Sequence, residues 1–98
     1  MIYFGKLESA SIIEGKIRPY IQLKFELEKE IEPIGMKIVF VPIGTEQMCA
    51  QWSIPLKQYD SETINEEMSK IFKGKRFQLE IVFEFFKNAF HPKVIENV

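Results

Sequence analysis

Residues 17–28 alternate between apolar and polar positions. Ile17, Pro19, Ile21, Leu23, Phe25 and Leu27 fall on one side; Arg18, Tyr20, Gln22, Lys24, Glu26 and Glu28 fall on the other. A period of two held over this length predicts a half-buried antiparallel strand. Glu32-Pro33-Ile34-Gly35 follows as a tight turn, with Pro at its second position and Gly at its fourth. Residues 36–43 then form the return strand of a hairpin. Alternation recurs over residues 47–56, with Met48, Ala50, Trp52, Ile54 and Leu56 apolar. It recurs again over 76–86, with Phe77, Leu79, Ile81, Phe83 and Phe85 on one face. Residues 2–8 read as a further strand, resuming at Ile12-Ile13.

A different period appears at 60–74. Ile64, Met68, Ile71 and Phe72 share one helical face, and Thr63-x-x-Glu66 has the spacing of a capping box, with Asp60 and Ser61 as further cap candidates. Lys70 and Lys73 suit the negative end of the helix, and Gly74 suits its stop. The order is β-β-β-β-α-β: mainly β (α+β), about five antiparallel strands in a small barrel or curled sheet, with one amphipathic helix before the last strand. An OB-like barrel is the nearest architecture, although an OB-fold places its helix after the third strand and here a fourth precedes it. Residues 1–98 make one domain, with 88–98 a loose tail in which 94–98 is either a short edge strand or disordered.

Composition narrows the class. The 98 residues are 46% hydrophobic and 28% charged, as in a globular domain. Nine Phe, three Tyr and Trp52 supply an aromatic interior in which each buried Phe-sized side chain contributes roughly 1.5–3 kcal/mol. Cys49 is the only cysteine, so no intrachain disulfide forms, and a reducing, cytoplasmic location is expected. The N-terminal residues lack the pattern of a secretory signal. No apolar run approaches the roughly 20 residues needed to span a bilayer, so no membrane role is expected. A net charge of −1 removes the strongest argument for a nucleic-acid partner.

Chemistry finds little footing. One His and one Cys, far apart, do not make a zinc site, and His91 precedes Pro92 in the tail, a poor base for a nucleophile pair. Glu26 and Glu28 share a strand face about 7 Å apart, but any acids two apart on a strand do so. Glycines occur at 5, 15, 35, 44 and 74, with no phosphate-loop spacing. No catalytic, metal or cofactor residue is expected, and no enzyme.

Two features remain. Lys70, Lys73, Lys75 and Arg76 form a basic cluster, which reads first as dipole complementation and solvation. The strand 36–43 is apolar on both faces: Met36, Ile38, Phe40 and Pro42 on one, Val39, Val41 and Ile43 on the other. Which face turns inward depends on the register of the turn. The second strip needs a cover, for which the helix stripe is the first candidate; uncovered, it becomes a binding surface. Val82, Phe86 and Phe90 add surplus apolar surface. The leading expectation is therefore a non-catalytic interaction module that engages a protein partner or a second copy of itself. Behind it stands an OB-like module for single-stranded nucleic acid, stacking bases on Tyr20 with Arg18, Lys24, Lys37, Lys75 and Arg76 on the backbone. A small inhibitor or immunity-type protein is the third. The residues singled out for a partner are Arg18, Tyr20, Lys24, Lys37, Val39, Val41, Lys75 and Arg76.

Overall fold

The computed structural model describes residues 1–32, 34–52, 60–87 and 89–97, with 49–52, 96 and 97 described by their backbone alone. Its elements are β1 (Ile2–Ile13), β2 (Tyr20–Ile31), β3 (Met36–Ile43), α1 (Thr45–Trp52), α2 (Ser61–Phe72), β4 (Arg76–Glu84) and β5 (Ala89–Asn97). The strands form one antiparallel sheet in the order β3-β2-β1-β4-β5. The sheet curls until its two edge strands, β3 and β5, approach each other, giving a half-barrel. Each neighbour pair is antiparallel, so β3 and β5 run in the same direction across that seam.

The alternation in β2 buries Ile21, Leu23, Phe25 and Leu27 as expected. The strand begins only at Tyr20, however, and Ile17 stands 96% exposed in the β1–β2 connection. The turn after β2 carries Gly35 at φ +73°, a left-handed conformation that glycine adopts without a Cβ penalty. The amides of Ile34 and Gly35 both donate to the Ile31 carbonyl. This turn sets the register of β3 so that Val39, Val41 and Ile43 face the core.

Gly5 sits where β1 changes partners: it lies opposite Leu27 on β2 and Phe77 on β4. A Cβ there would come 2.7 Å from the Glu26 carbonyl oxygen. The close crossing of β1 and β2 therefore requires glycine.

Residues 47–52 are helical, where the alternation predicts a strand. Met48 and Trp52 are four apart, so their spacing fits a helix as well, and no β-branched residue follows Thr45 within α1. The Met48 amide donates to the Gly44 carbonyl, and the Met48 side chain is fully buried. Ile54 and Leu56, assigned to the same strand, lie outside the described residues. The fifth strand is instead the segment read as a loose tail: β5 pairs with β4 from Ala89 to Asn97.

α2 starts one turn earlier than the capping-box spacing suggests. Asp60 is its N-cap, accepting from the Thr63 amide at 2.8 Å. That bond and the Thr63 hydroxyl hold the Asp60 carboxyl below its ordinary pKa. Gly74, at φ +77°, ends the helix. Ile64, Met68 and Phe72 are buried, while Ile71 lies to the side and is partly exposed. This stripe packs on β1 and closes the core from inside the curl. Phe77 is the hinge of the interior, meeting Phe25 and Phe72 edge-on at centroid separations of 5.3 and 5.2 Å. The helix therefore does not cover the outer strip of β3, the role the sequence first suggests for it. Among the described residues no polar or charged side chain is buried.

Candidate binding surface

The β4–β5 hairpin outruns the rest of the sheet. β1 begins opposite Glu80, and the Met1 backbone exchanges its last bonds with Ile81. Beyond that point, among the described residues, β4 has β5 as its only strand neighbour. Phe77, Leu79 and Ile81 are buried, but Phe83, next on the same face, is partly exposed because the barrel body ends beneath it. Across from it lies Phe90, with ring centroids 4.9 Å apart. Phe85 meets Phe83 edge-on at 6.4 Å, and Phe86 meets Phe85 at 6.3 Å. Phe85 is 77% exposed and Phe86 100%. Four rings thus run in mutual contact to the tip of the hairpin.

The inner end of this run opens onto the seam between β3 and β5. Phe40 and Pro42 form one wall and Phe90, His91, Pro92 and Lys93 the other, with Glu80 at the side, around a groove of about 370 Å³. Pro42 and Pro92 stand on facing edges and lack amide donors, so a continuous ladder cannot form here. Phe40 is 50% exposed. The surplus apolar surface of β3 is therefore its outer strip, open at Phe40 and Pro42.

Charge around this surface is balanced. Glu84 pairs with Lys87 through one carboxylate oxygen, and its other oxygen lies beside His91 Nε2, each contact at 3.2 Å. Glu80 lies opposite Lys93 in the β4–β5 register.

The residues singled out from sequence scatter over the molecule. Arg18 and Tyr20 come together in a second concavity of about 370 Å³, with Gly44, Thr45 and Gln47. Lys24 lies opposite Phe40 on the outer face and pairs with Glu8 at 3.3 Å. Lys37 is exposed at the start of β3. Val39 and Val41 are each only 3% exposed, because the register turns them into the core; they have almost no accessible surface to offer a partner. Lys75 reaches over the Phe72 ring at 5.9 Å. Arg76 stacks on Phe4 at 3.9 Å and grips Glu28 with two hydrogen bonds, the longer 2.8 Å. That grip lowers the Glu28 pKa and raises that of Arg76. Lys75 and Arg76 thus have local partners and lie on a different part of the fold from Arg18 and Tyr20.

Parity along 76–86 predicts the same face for Phe83 and Phe85 as for the buried Phe77, Leu79 and Ile81, whereas both are exposed. The break in alternation at Phe85-Phe86, just before Lys87-Asn88, was the available signal that the strand had ended. Among the described residues no cluster of three or more His, Cys, Asp or Glu side chains converges, and no helix is long and apolar enough to cross a membrane.

Fold and surface together define a small, mostly β half-barrel with one aromatic hairpin projecting from it. Comparison with protein-family models, curated proteins and solved structures finds no match.

Proposed function

We propose that this chain is a non-catalytic binding module whose aromatic hairpin and adjoining seam engage a protein. The observation that carries this reading is the exposure of Phe85 and Phe86 at the end of a supported run of rings. Large aromatic side chains on a surface are the residues that most often anchor a protein interface. The balanced charge around them suits an apolar protein surface better than a polyanion. A cytoplasmic setting accords with the solitary Cys49. If the partner is an enzyme, occluding it would make the module an inhibitor or immunity-type protein.

Affinity capture from the source cells, with wild-type bait beside a Phe85→Ser/Phe86→Ser bait, tests the reading. Proteins held by the first and lost by the second are expected. Identical captures by both baits would remove the hairpin from the interaction.

A second reading has its own support. A helix between β3 and β4, with β3 and β5 parallel across a seam, is compatible with an OB-like barrel, whose β2–β3 face and β4–β5 loop hold oligonucleotides. Here that face carries Tyr20, Lys24 and Phe40, and that loop carries Phe85 and Phe86. Against it, Glu8 already engages Lys24, and Glu80 and Glu84 lie beside the rings. Fluorescence anisotropy with a labelled oligonucleotide at low salt separates the two. Salt-sensitive binding lost in Tyr20→Ala would promote the nucleic-acid reading, and no binding at micromolar protein would retire it.

A further inference from the structure

Phe86 and the β3–β5 groove are a knob and a hole on one molecule. The knob is fully exposed, and its neighbour Phe85 rests on Phe83, which packs on Phe90. The hole has walls of ring and proline, Phe40 and Pro42 against Phe90 and Pro92. Phe90 belongs to both the ring run and the groove wall, so knob and hole lie on one continuous surface, three ring contacts apart.

We propose that a second copy of this chain covers the surface, each copy inserting Phe86 into the groove of the other about a two-fold axis. This rests on the reading that the hairpin binds protein, and it names that protein. Complementary features on one continuous surface allow a closed, reciprocal pair, in which turning one copy over brings each knob to the other's hole. Charge agrees. Both sides carry both signs, Glu84 paired with Lys87 beside the knob and Glu80 opposite Lys93 at the groove, so insertion brings no net like charge together. Glu80 and Glu84 balance Lys87 and Lys93 around the contact, and a chain of net charge −1 repels its twin only weakly. The two prolines disfavour the main alternative occupant. An extended peptide adds to a sheet through backbone amides, and Pro42 and Pro92 withhold theirs from both lips of the groove. Side-chain insertion remains.

Sedimentation velocity from about 1 μM to about 1 mM protein spans the affinities of a weak to moderate dimer. A concentration-dependent dimer is expected for the wild type. Phe86→Ser removes the knob and Phe40→Glu blocks the hole, each weakening dimerisation about 30-fold or more. Far-ultraviolet circular dichroism and thermal melts verify that both variants stay folded. The mixture of the two is the decisive sample. Phe40→Glu still has its knob and Phe86→Ser still has its hole, so mixing restores one of two contacts and a heterodimer forms more tightly than either variant alone. A wild type that stays monomeric, a dimer indifferent to both substitutions, or a mixture no tighter than its components would each overturn the proposal. A monomeric wild type whose hairpin still captures a different protein would overturn self-docking alone, whereas identical captures by both baits would overturn the wider reading.

Discussion

The Ser61 hydroxyl of α2 accepts a hydrogen bond from the Ile12 amide of β1 at 2.8 Å, and one helical turn on, Asn65 Oδ1 accepts from the Ala10 amide at 3.0 Å. β4 pairs with β1 only as far as Lys6, so the outer amides of the second half of β1 would otherwise face no strand. Alternate amides on one strand edge repeat about every 6.8 Å, and residues four apart on a helix rise about 6 Å. The two spacings nearly coincide, which lets helix side chains stand in for a missing strand. Ser61→Ala and Asn65→Leu are each expected to cost about 1 kcal/mol in urea unfolding, with faster exchange of the Ile12 and Ala10 amides respectively. Unchanged exchange would show that the helix does not protect this edge.

Gly5→Ala is expected to destabilise by about 1–3 kcal/mol, since the added methyl meets backbone that moves only with the whole crossing. Gly44→Ala, where nothing lies within 4 Å of the added carbon, is the control and should change stability far less.

Much of this architecture was legible because β2, β3 and the first part of β4 bury strictly alternate residues. α1 was not, because Met48 and Trp52 satisfy a period of two and a spacing of four equally well. β5 was obscured by its central His91-Pro92, which reads as a break yet is tolerated on an edge strand. Val82, Phe86 and Phe90 stood out in the sequence as surplus apolar surface. Phe83 and Phe85 did not, because parity assigns a face without knowing where the barrel stops. The register of β3, which hides Val39 and Val41 and opens Phe40, depended on a turn geometry that composition leaves undetermined.

Stability should fall in acid through two carboxyls. Asp60 and Glu28 both have lowered pKa values in the folded chain, from the Thr63 amide and hydroxyl and from Arg76 respectively. A depressed folded value means the unfolded chain takes up protons first as pH drops. Their stabilisation is thus complete above about pH 5 and is lost progressively below the unfolded values near 4. Thermal melts between pH 7 and pH 3 should show this decline, less steep in Glu28→Gln. A slope unaltered by that substitution would argue against the Arg76 pair as a contributor.

At protein concentrations where the chain is monomeric, Phe86→Ser should leave unfolding free energy within about 0.5 kcal/mol of wild type, as expected for a side chain wholly in solvent. Phe72→Ala should cost about 3–5 kcal/mol, because its ring is buried in the core, edge-on to Phe77. Paired chemical denaturation curves give both values. Equal losses would mean the hairpin rings are structural after all.

The divided pairing of β1 bears on the order in which the chain assembles. Its end meets β2 across a short connection, Ile13 opposite Tyr20, while its start must wait for β4 from the far side of the sequence, Ile2 opposite Glu80. Closing the long loop costs more chain entropy and is repaid later, so the three-strand meander is expected to nucleate and the β4–β5 arm to dock onto it afterwards. In a chevron series, Leu23→Ala should chiefly slow refolding and Ile81→Ala chiefly hasten unfolding. The arm that carries the exposed rings would then also be the first part to let go.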